Sequence, residues 1–363
     1  MKAAVLEEVG APLVMEELDV GEPMAHEVLV DVKACGLCHS DLHFIDGTYP
    51  HPMPVVPGHE VAGVVRAVGS EVARVKPGDH VVTCFTAYCG HCEFCVTGRI
   101  TLCQSAEIKR GKGEPPRLSF AGTAKPVRQL LNLGGFAETM LVHESSCVPI
   151  RADMPMDRAA LLGCAVATGA SAVFNACRIE PGQAVAVIGC GGVGLAAINA
   201  ARIAGAGVIV AADPLAEKRE LALEMGASHA VDASADDAAE AIVRHTDGGA
   251  HHAIEAVGVP AAADLAVACL RRGGTATVLG MMPPGHKVGL GALDLLADKR
   301  LQGAFLGDAR FPLDVPRLVD FYLSGALHLD RLIAERIGLE DINAGFDTMR
   351  AGASARSVIV FGE

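Results

Sequence analysis

Tryptophan is absent from the 363 residues, tyrosine occurs three times, and aromatic residues make up only 4% of the chain. A core for such a protein has to be built from aliphatic and small side chains, and the 51% hydrophobic content, rich in Ala and Gly, supplies them. That content excludes a disordered or low-complexity chain. No apolar run approaches the ~20 residues of a membrane-spanning helix. The N-terminus, Met1-Lys2-Ala3-Ala4-Val5-Leu6-Glu7-Glu8, turns acidic before a signal-peptide core could form. Positive charge is scarce as well: 30 Lys and Arg stand against 43 Asp and Glu, a net charge of −13. Nucleic acid and anionic membranes are therefore poor partners. The expectation is a soluble cytoplasmic protein, and its length exceeds the roughly 250–300 residues that one core serves, so two domains are expected.

Cysteine is what the chain has in excess, with twelve. Without a secretion signal, metal ligation explains them better than a disulfide framework. Cys89-x2-Cys92-x2-Cys95-x7-Cys103 places four thiols on one loop, the pattern of a closed tetrahedral zinc site. The bacterial iron–sulfur run has a shorter final spacer followed by Pro, and Cys103 is followed by Gln104. With all four positions filled by thiolates, such a site orders a lobe and leaves no position for chemistry. Cys38 and Cys164 lie beside polar or Gly-rich segments. Cys35, Cys84, Cys147, Cys177, Cys190 and Cys269 sit among apolar or small residues and read as buried small hydrophobes.

From Ala184 onward strand-like and helix-like segments alternate. Ala184–Ile188, Val208–Ala212, Ala253–Val257, Thr275–Leu279 and Leu301–Leu306 read as strands, with helices over Leu195–Ala204 and Glu217–Met225. This alternation implies parallel βαβ units and a doubly wound α/β sheet. The first 150 residues differ: Val28–Val32, Val61–Val68, His80–Thr83 and Thr139–Val142 are short β-rich runs punctuated by Gly and Pro, the pattern of an irregular antiparallel barrel. The last ~55 residues have too little core to stand alone and are expected to return to the barrel, so the nucleotide-type unit is an insertion.

Gly189-Cys190-Gly191-Gly192-Val193-Gly194 fits the G-x-G-x-x-G fingerprint, after a strand and at the opening of a helix. Its glycines permit a tight turn and let backbone N–H groups approach a pyrophosphate. Asp213, 19 residues past Gly194, ends the second strand, where a carboxylate accepts hydrogen bonds from both ribose hydroxyls of NAD. A metal site with an exchangeable position draws ligands from distant segments. Cys38, His59 and Cys164 are the candidates; taken alone, a His following a Gly reads as a turn residue, and the His251-His252 pair reads as surface.

Taken in order, Gly58-His59-Glu60-x2-Gly63-x-Val65, the four-Cys loop, Cys164 and the fingerprint resemble the zinc-dependent medium-chain alcohol dehydrogenases, over essentially the whole chain. The segments Phe346–Arg350 and Arg356–Ile359 share the likeness. The 104–135 stretch resembles the liver-type and formaldehyde-type branches, and Asp213-Pro214-x3-Lys218-Arg219 the nitroso-dye-reducing bacterial enzymes. The resemblance implies a GroES-like barrel domain over 1–165 with a zinc lobe near 84–110, a Rossmann domain over 166–305 and a return over 306–363. It also implies two zinc ions per chain, NAD, and a homodimer paired through the nucleotide domains.

By position, Cys38, His59 and Cys164 would bind the catalytic zinc, with Glu60 beside it as a transient ligand and Asp41 orienting His59. Ser40 would take the substrate hydroxyl proton and pass it, through the nicotinamide ribose, towards His43. His39 and Arg356 would meet the pyrophosphate, Lys218 the adenosine ribose and Thr168 the nicotinamide side, with Gly189, Gly191, Gly192, Val193, Gly194 and Asp213 completing the cofactor site. Ser40, Tyr49, Phe85, Leu130, Leu131 and Leu306 would line the substrate channel. The implied activity interconverts primary aromatic or medium-chain alcohols and aldehydes. The alternative is a thiol-adduct (S-hydroxymethyl thiol) or dye-linked enzyme with tightly bound NAD. Where the formaldehyde-type branch has Asp and Arg to engage glutathione, this chain has Tyr49 and Glu107, which disfavours the thiol adduct.

Overall fold

A computed structural model describes residues 1–352 and 356–362. The chain divides into two compact units, Met1–Cys164 with Arg310–Leu323 and Leu329–Glu363, and Ala165–Ala309 with Ser324–His328. These limits differ slightly from 165, 305 and 306 for local reasons. Gly307 packs against the backbone of Thr168 and Ala172, which keeps 306–309 with the second unit. The side chains of Asn199 and Arg202 donate to the carbonyl of Ala326, which holds 324–328 there as well.

In the first unit, the strand Glu27–Gly36 buries Val28, Val30, Val32 and Ala34, the period-2 alternation of a strand with one face on a core. It pairs antiparallel with Glu60–Val68, Thr139–His143 and Arg356–Val360. A second sheet carries Lys2–Val5, Val14–Val20, Leu118–Phe120, Pro126–Gln129 and Val55–Val56. The expected antiparallel order holds except at two pairings, Val55–Val56 with Pro126–Gln129 and Ile333–Ile337 with Arg356–Val360, which are parallel. Phe136 and Phe346 meet edge-to-face at 5.8 Å in the apolar core, so the returning segment contributes to it directly. Arg336 Nε also donates to Asp157 at 2.7 Å, and Arg158 Nε to Asp330 at 2.8 Å.

The second unit is a parallel sheet of six strands among the described residues, in the order His229–Val231, Val208–Ala212, Ala184–Ile188, Ala250–Glu255, Leu270–Val278, Arg300–Gly303. This is the doubly wound order with its switch point at the first strand. Every residue of Ala184–Ile188 is buried, as expected of a strand covered on both faces.

One ion cluster fastens the 104–117 segment to the barrel. Glu27, buried at the start of its strand, accepts from Arg110 Nε at 3.0 Å, Arg117 Nε at 2.7 Å and the Met24 N–H at 3.0 Å. Burial would push its carboxyl up, but the guanidinium bonds and the Met24 N–H outweigh it and hold it below the usual carboxylate value. A lowered folded-state value means stability present above the unfolded value near 4.5 and lost as pH falls through the folded one. Glu27→Gln strands two mostly buried guanidinium groups and should cost about 3 kcal/mol at pH 7. Urea denaturation at pH 7 and pH 4 checks this: the gap between variant and parent should shrink at pH 4, and equal midpoints at pH 7 would refute it.

Candidate active site

The loop before the strand Glu60–Val68, the start of the helix His39–Ile45, and the turn ending at Cys164 converge within the first unit. One donor atom each from Cys38, His59, Glu60 and Cys164 lies within 4.8 Å of the others, and all four residues are buried. His59 Nδ1 is 2.9 Å from Asp41 Oδ1, which also accepts the Gly58 N–H at 3.0 Å. Asp41 is buried too, and its carboxylate places the ring proton on Nδ1. The opposite atom, His59 Nε2, is buried with no hydrogen-bond partner. A buried lone pair without a donor costs free energy unless something takes it, and a metal cation among two thiols, an imidazole and a carboxylate does so. Two sulfurs, one nitrogen and a carboxylate held near but not committed fit zinc with an exchangeable position.

The electrostatics suit a cation. The Cys38 thiol is held well below its usual value, chiefly by a hydrogen bond from Cys164 and also by Arg356 and His59, against the effect of burial. The Cys164 thiol goes up in return, since the two share one proton. Burial would lower His59, but the Asp41 carboxylate outweighs it and raises it well above the usual value, so the field at Nε2 favours a positive charge there, whether a proton or a metal ion. Arg356 donates to Glu60 Oε2 at 2.7 Å and to the Leu37 carbonyl at 3.0 Å, with Cys38 Sγ at 3.8 Å from the guanidinium. Arg356, expected at a pyrophosphate, here meets the Glu60 carboxylate and the Cys38 sulfur, and its Nε has no partner among the described residues.

On the helix His39–Ile45, Asp41 faces inward, while His39 is exposed and Ser40 and His43 are half-buried. Ser40 Oγ lies 3.6 Å from Cys38 Sγ. The His43 ring meets Tyr49 at 6.0 Å. Phe85 stacks edge-on against His59 at 5.6 Å, which puts an aromatic face beside the metal-type cluster. Leu131, in a left-handed conformation at φ 54°, packs partly on the barrel core. Leu130, expected on the channel wall, is buried in the apolar core of that unit.

The Cys89–Cys103 loop brings its four sulfurs together. Sulfur separations are 3.9 Å for Cys89–Cys95, 3.5 Å for Cys92–Cys95, 3.9 Å for Cys92–Cys103 and 3.7 Å for Cys89–Cys103. A tetrahedron of thiolates at the usual zinc–sulfur length has edges of about 3.8 Å. These separations are far longer than a disulfide. Beside the loop, Arg74 donates to the Tyr88 hydroxyl at 2.7 Å and the Tyr88 N–H to Ser145 Oγ at 2.9 Å, anchoring it to the barrel.

In the second unit, Gly189 turns the chain at φ 95°, and a Cβ at Gly194 would overlap the Gly189 carbonyl, so the turn folds tightly onto the helix Gly192–Ile203. Asp213 accepts the Cys190 N–H at 2.8 Å and the Leu215 N–H at 3.0 Å, which fixes its carboxylate at the mouth of that turn. Arg219 donates to the carbonyls of Asp213 and Pro214, both at 2.8 Å. Lys218 is half-buried on the following helix. Thr168 Oγ1 is buried without a partner. Leu306 is 8% exposed, within a left-handed turn of Leu306, Gly307 and Asp308, and its neighbour Phe305 is 51% exposed.

Two family models match the chain, the alcohol dehydrogenase GroES-like domain over residues 24–152 and the zinc-binding dehydrogenase domain over residues 192–324. The NDMA-dependent alcohol dehydrogenase of Amycolatopsis methanolica is 39% identical across 99% of this chain and 98% of its own. Class-3 alcohol dehydrogenase of Myxine glutinosa is 37% identical across 99% of this chain and 97% of its own. The crystal structure of benzyl alcohol dehydrogenase from Acinetobacter calcoaceticus superimposes with a TM-score of 0.93, at 32% identity and covering 99% of each chain.

Proposed function

The chain belongs to the zinc-binding alcohol dehydrogenases, and on that footing we propose that it interconverts apolar primary alcohols and their aldehydes by hydride exchange with NAD. The observation that carries this reading is the buried His59 Nε2 without a partner, among Cys38, Cys164 and Glu60. Cys38, His59 and Cys164 would hold a zinc ion that would supply a Lewis acid for the alcohol, and bound NAD would supply the hydride acceptor. Asp41 holds the His59 ring with its Nε2 turned to the metal. Arg356 restrains Glu60 and offsets the negative charge of the cluster. Ser40 accepts the substrate hydroxyl proton, and His43, on the same helix, is the base from which it leaves to solvent. His39, exposed at the start of that helix, serves the cofactor phosphates. The four sulfurs of Cys89, Cys92, Cys95 and Cys103 would hold the second, structural zinc.

The cofactor preference follows from Asp213. Two backbone N–H groups fix its carboxylate, and its remaining lone pairs accept ribose hydroxyls while its charge repels a 2′-phosphate. Arg219 is engaged by backbone carbonyls and so does not compensate; Lys218 serves the adenosine ribose. Thr168 offers its buried hydroxyl to the nicotinamide side. The substrate class rests on Phe85 and Tyr49 near the cluster and its helix, with Leu131 in reserve. Residues near 290–303 support a homodimer paired through this unit: Leu293 and Leu296 are 80% and 85% exposed beside the last strand of the sheet. No helix among the described residues is long and apolar enough to cross a membrane; a cytoplasmic location completes the proposal. A second reading, NAD retained through turnover with a dye as oxidant, is favoured by the likeness to the Amycolatopsis enzyme.

The test is kcat/KM for ethanol, hexanol, benzyl alcohol and S-hydroxymethylglutathione, with NAD and with NADP. Burying a ring or medium chain adds about 1.5–3 kcal/mol, so benzyl alcohol and hexanol should exceed ethanol at least ~10-fold. NAD should exceed NADP by about tenfold, or about 1.4 kcal/mol. Ethanol or the glutathione adduct winning would overturn the substrate class, and NAD released on denaturing the purified protein would favour the second reading.

A further inference from the structure

A fully buried carboxylate sits at the end of the strand Ala250–Glu255, with no cation in its hydrogen-bond network among the described residues. Glu255 Oε1 accepts the Val257 N–H at 2.8 Å and the Gly258 N–H at 2.6 Å, and Oε2 accepts the Gly280 N–H at 3.2 Å. The side chain is wholly inaccessible. Its strand lies next to Ala184–Ile188, with Glu255 in register with Ile188, the residue before the glycine turn. Glu255 thus caps two loops at the carboxyl edge of the sheet, 256–258 and 279–281, at the switch point where a doubly wound sheet receives its ligand.

These loops are built for close approach. Gly258 adopts φ +89°, and a Cβ there would run into the backbone of Met281; a Cβ at Gly280 would run into the Gly258 N–H. Two glycines cross backbone to backbone, and the carboxylate binds an N–H from each. The loop so held packs onto the glycine turn: a Cβ on Gly189 would strike Val257 Cγ2 and come close to the Ala256 carbonyl. Val257 nonetheless stays 49% exposed, an apolar side chain left open at the sheet's ligand edge.

We infer that Glu255 is a positioning residue for the dinucleotide: by capping Val257, Gly258 and Gly280 it sets the height of the 256–258 loop over the glycine turn and so the width of the cofactor slot. The inference rests on the NAD-binding reading above. Three N–H bonds to an ionised acceptor are stronger than three to a neutral one. A glutamine keeps the shape but turns an NH₂ group against at least one of the donors. A hydrogen bond to a charged group is worth about 1.5–3 kcal/mol, and losing one such bond at the loop corresponds to about tenfold or more in affinity.

The test is NADH binding by fluorescence titration and steady-state kinetics on the zinc-loaded full chain, unmodified and as Glu255→Gln. The expected result is a Kd for NADH and a KM for NAD each raised about tenfold, kcat at saturating NAD within about threefold of the parent, and both zinc ions retained. A lowered Tm with an unchanged Kd would overturn the inference, since a mere strut would behave so. No NADH binding by the unmodified protein would remove the cofactor reading and the inference together, a result distinct from the first. Should Glu255→Gln fail to fold, hydrogen exchange in the unmodified chain decides. The Val257, Gly258 and Gly280 amides should exchange as slowly as the central strands and slow further with NADH, and rapid exchange there would overturn the inference.

Discussion

Cys38→Ala should abolish turnover, by roughly 10⁴-fold or more, while the protein still folds and carries one zinc per chain in place of two. The size follows from what the metal has to do: several kcal/mol of charge stabilisation at the reacting oxygen, at about 1.4 kcal/mol per tenfold. Removing one of two thiolates leaves His59 and Cys164, and two ligands do not hold zinc against water. Among the described residues Glu60 is the other member of the cluster that could take the vacated position, and Arg356 restrains it by a 2.7 Å bond to Oε2. Stability should change little, because the lost atom is one sulfur at a helix start and the barrel core of Val28, Val30, Phe136 and Phe346 is untouched. Elemental analysis, thermal melting and an NADH absorbance assay with benzyl alcohol on the same preparation check the prediction together. Activity retained at one zinc per chain would mean that Cys38 does not hold the catalytic metal.

How much of this was legible in the sequence depended on how locally each feature is encoded. Ala184–Ile188 and Val208–Ala212 read directly as strands because a parallel sheet covered on both faces demands an unbroken apolar run. Ala250–Glu255 was displaced by three residues at its start, since His251 and His252 looked like surface. His251 Nδ1 in fact accepts the Ala184 N–H at 3.0 Å, a partner 67 positions away that makes a polar residue compatible with a strand. The run from Leu301 ended early, at Gly303, because no propensity argument anticipates Leu306 and Asp308 in the left-handed region. The four-Cys loop was readable from spacing because all its ligands lie within one loop. Cys38, His59 and Cys164 are spread over more than a hundred residues; their residue types name them as candidates, each weak alone, and resemblance assigns them one metal. Arg356 met Glu60 across 296 positions, a pairing that buried charge dictates and sequence does not display. Glu255 drew no notice at all, since a carboxylate whose partners are backbone N–H groups leaves no side-chain signature.

Cys95→Ala should damage the fold rather than the chemistry. The segment from Cys89 to Cys103 has almost no core of its own: the helix Glu93–Val96 buries none of its residues, and of the turn Ile100–Leu102 only Thr101 is buried. Four sulfurs 3.5–3.9 Å apart around one ion are what can order such a stretch, and structural zinc contributes its binding energy to folding directly. Arg74, Tyr88 and Ser145 retain one end of the loop, so the loss should be partial, about 3–5 kcal/mol, well below the ~10–16 kcal/mol of a free-standing zinc peptide. Protons should matter as well. The His91 N–H pulls the Cys89 thiol down to about 6, whereas burial pushes Cys95 up to about 12. Cys95 therefore has to give up a proton when the metal binds, and acidification should release zinc from this loop. Freshly purified Cys95→Ala should keep the parent kcat at first and then lose activity on warming, with a lower Tm, one zinc per chain and rapid proteolytic cleavage between Cys89 and Cys103. An unchanged Tm together with two zinc ions would show that the loop is ordered by something other than a metal.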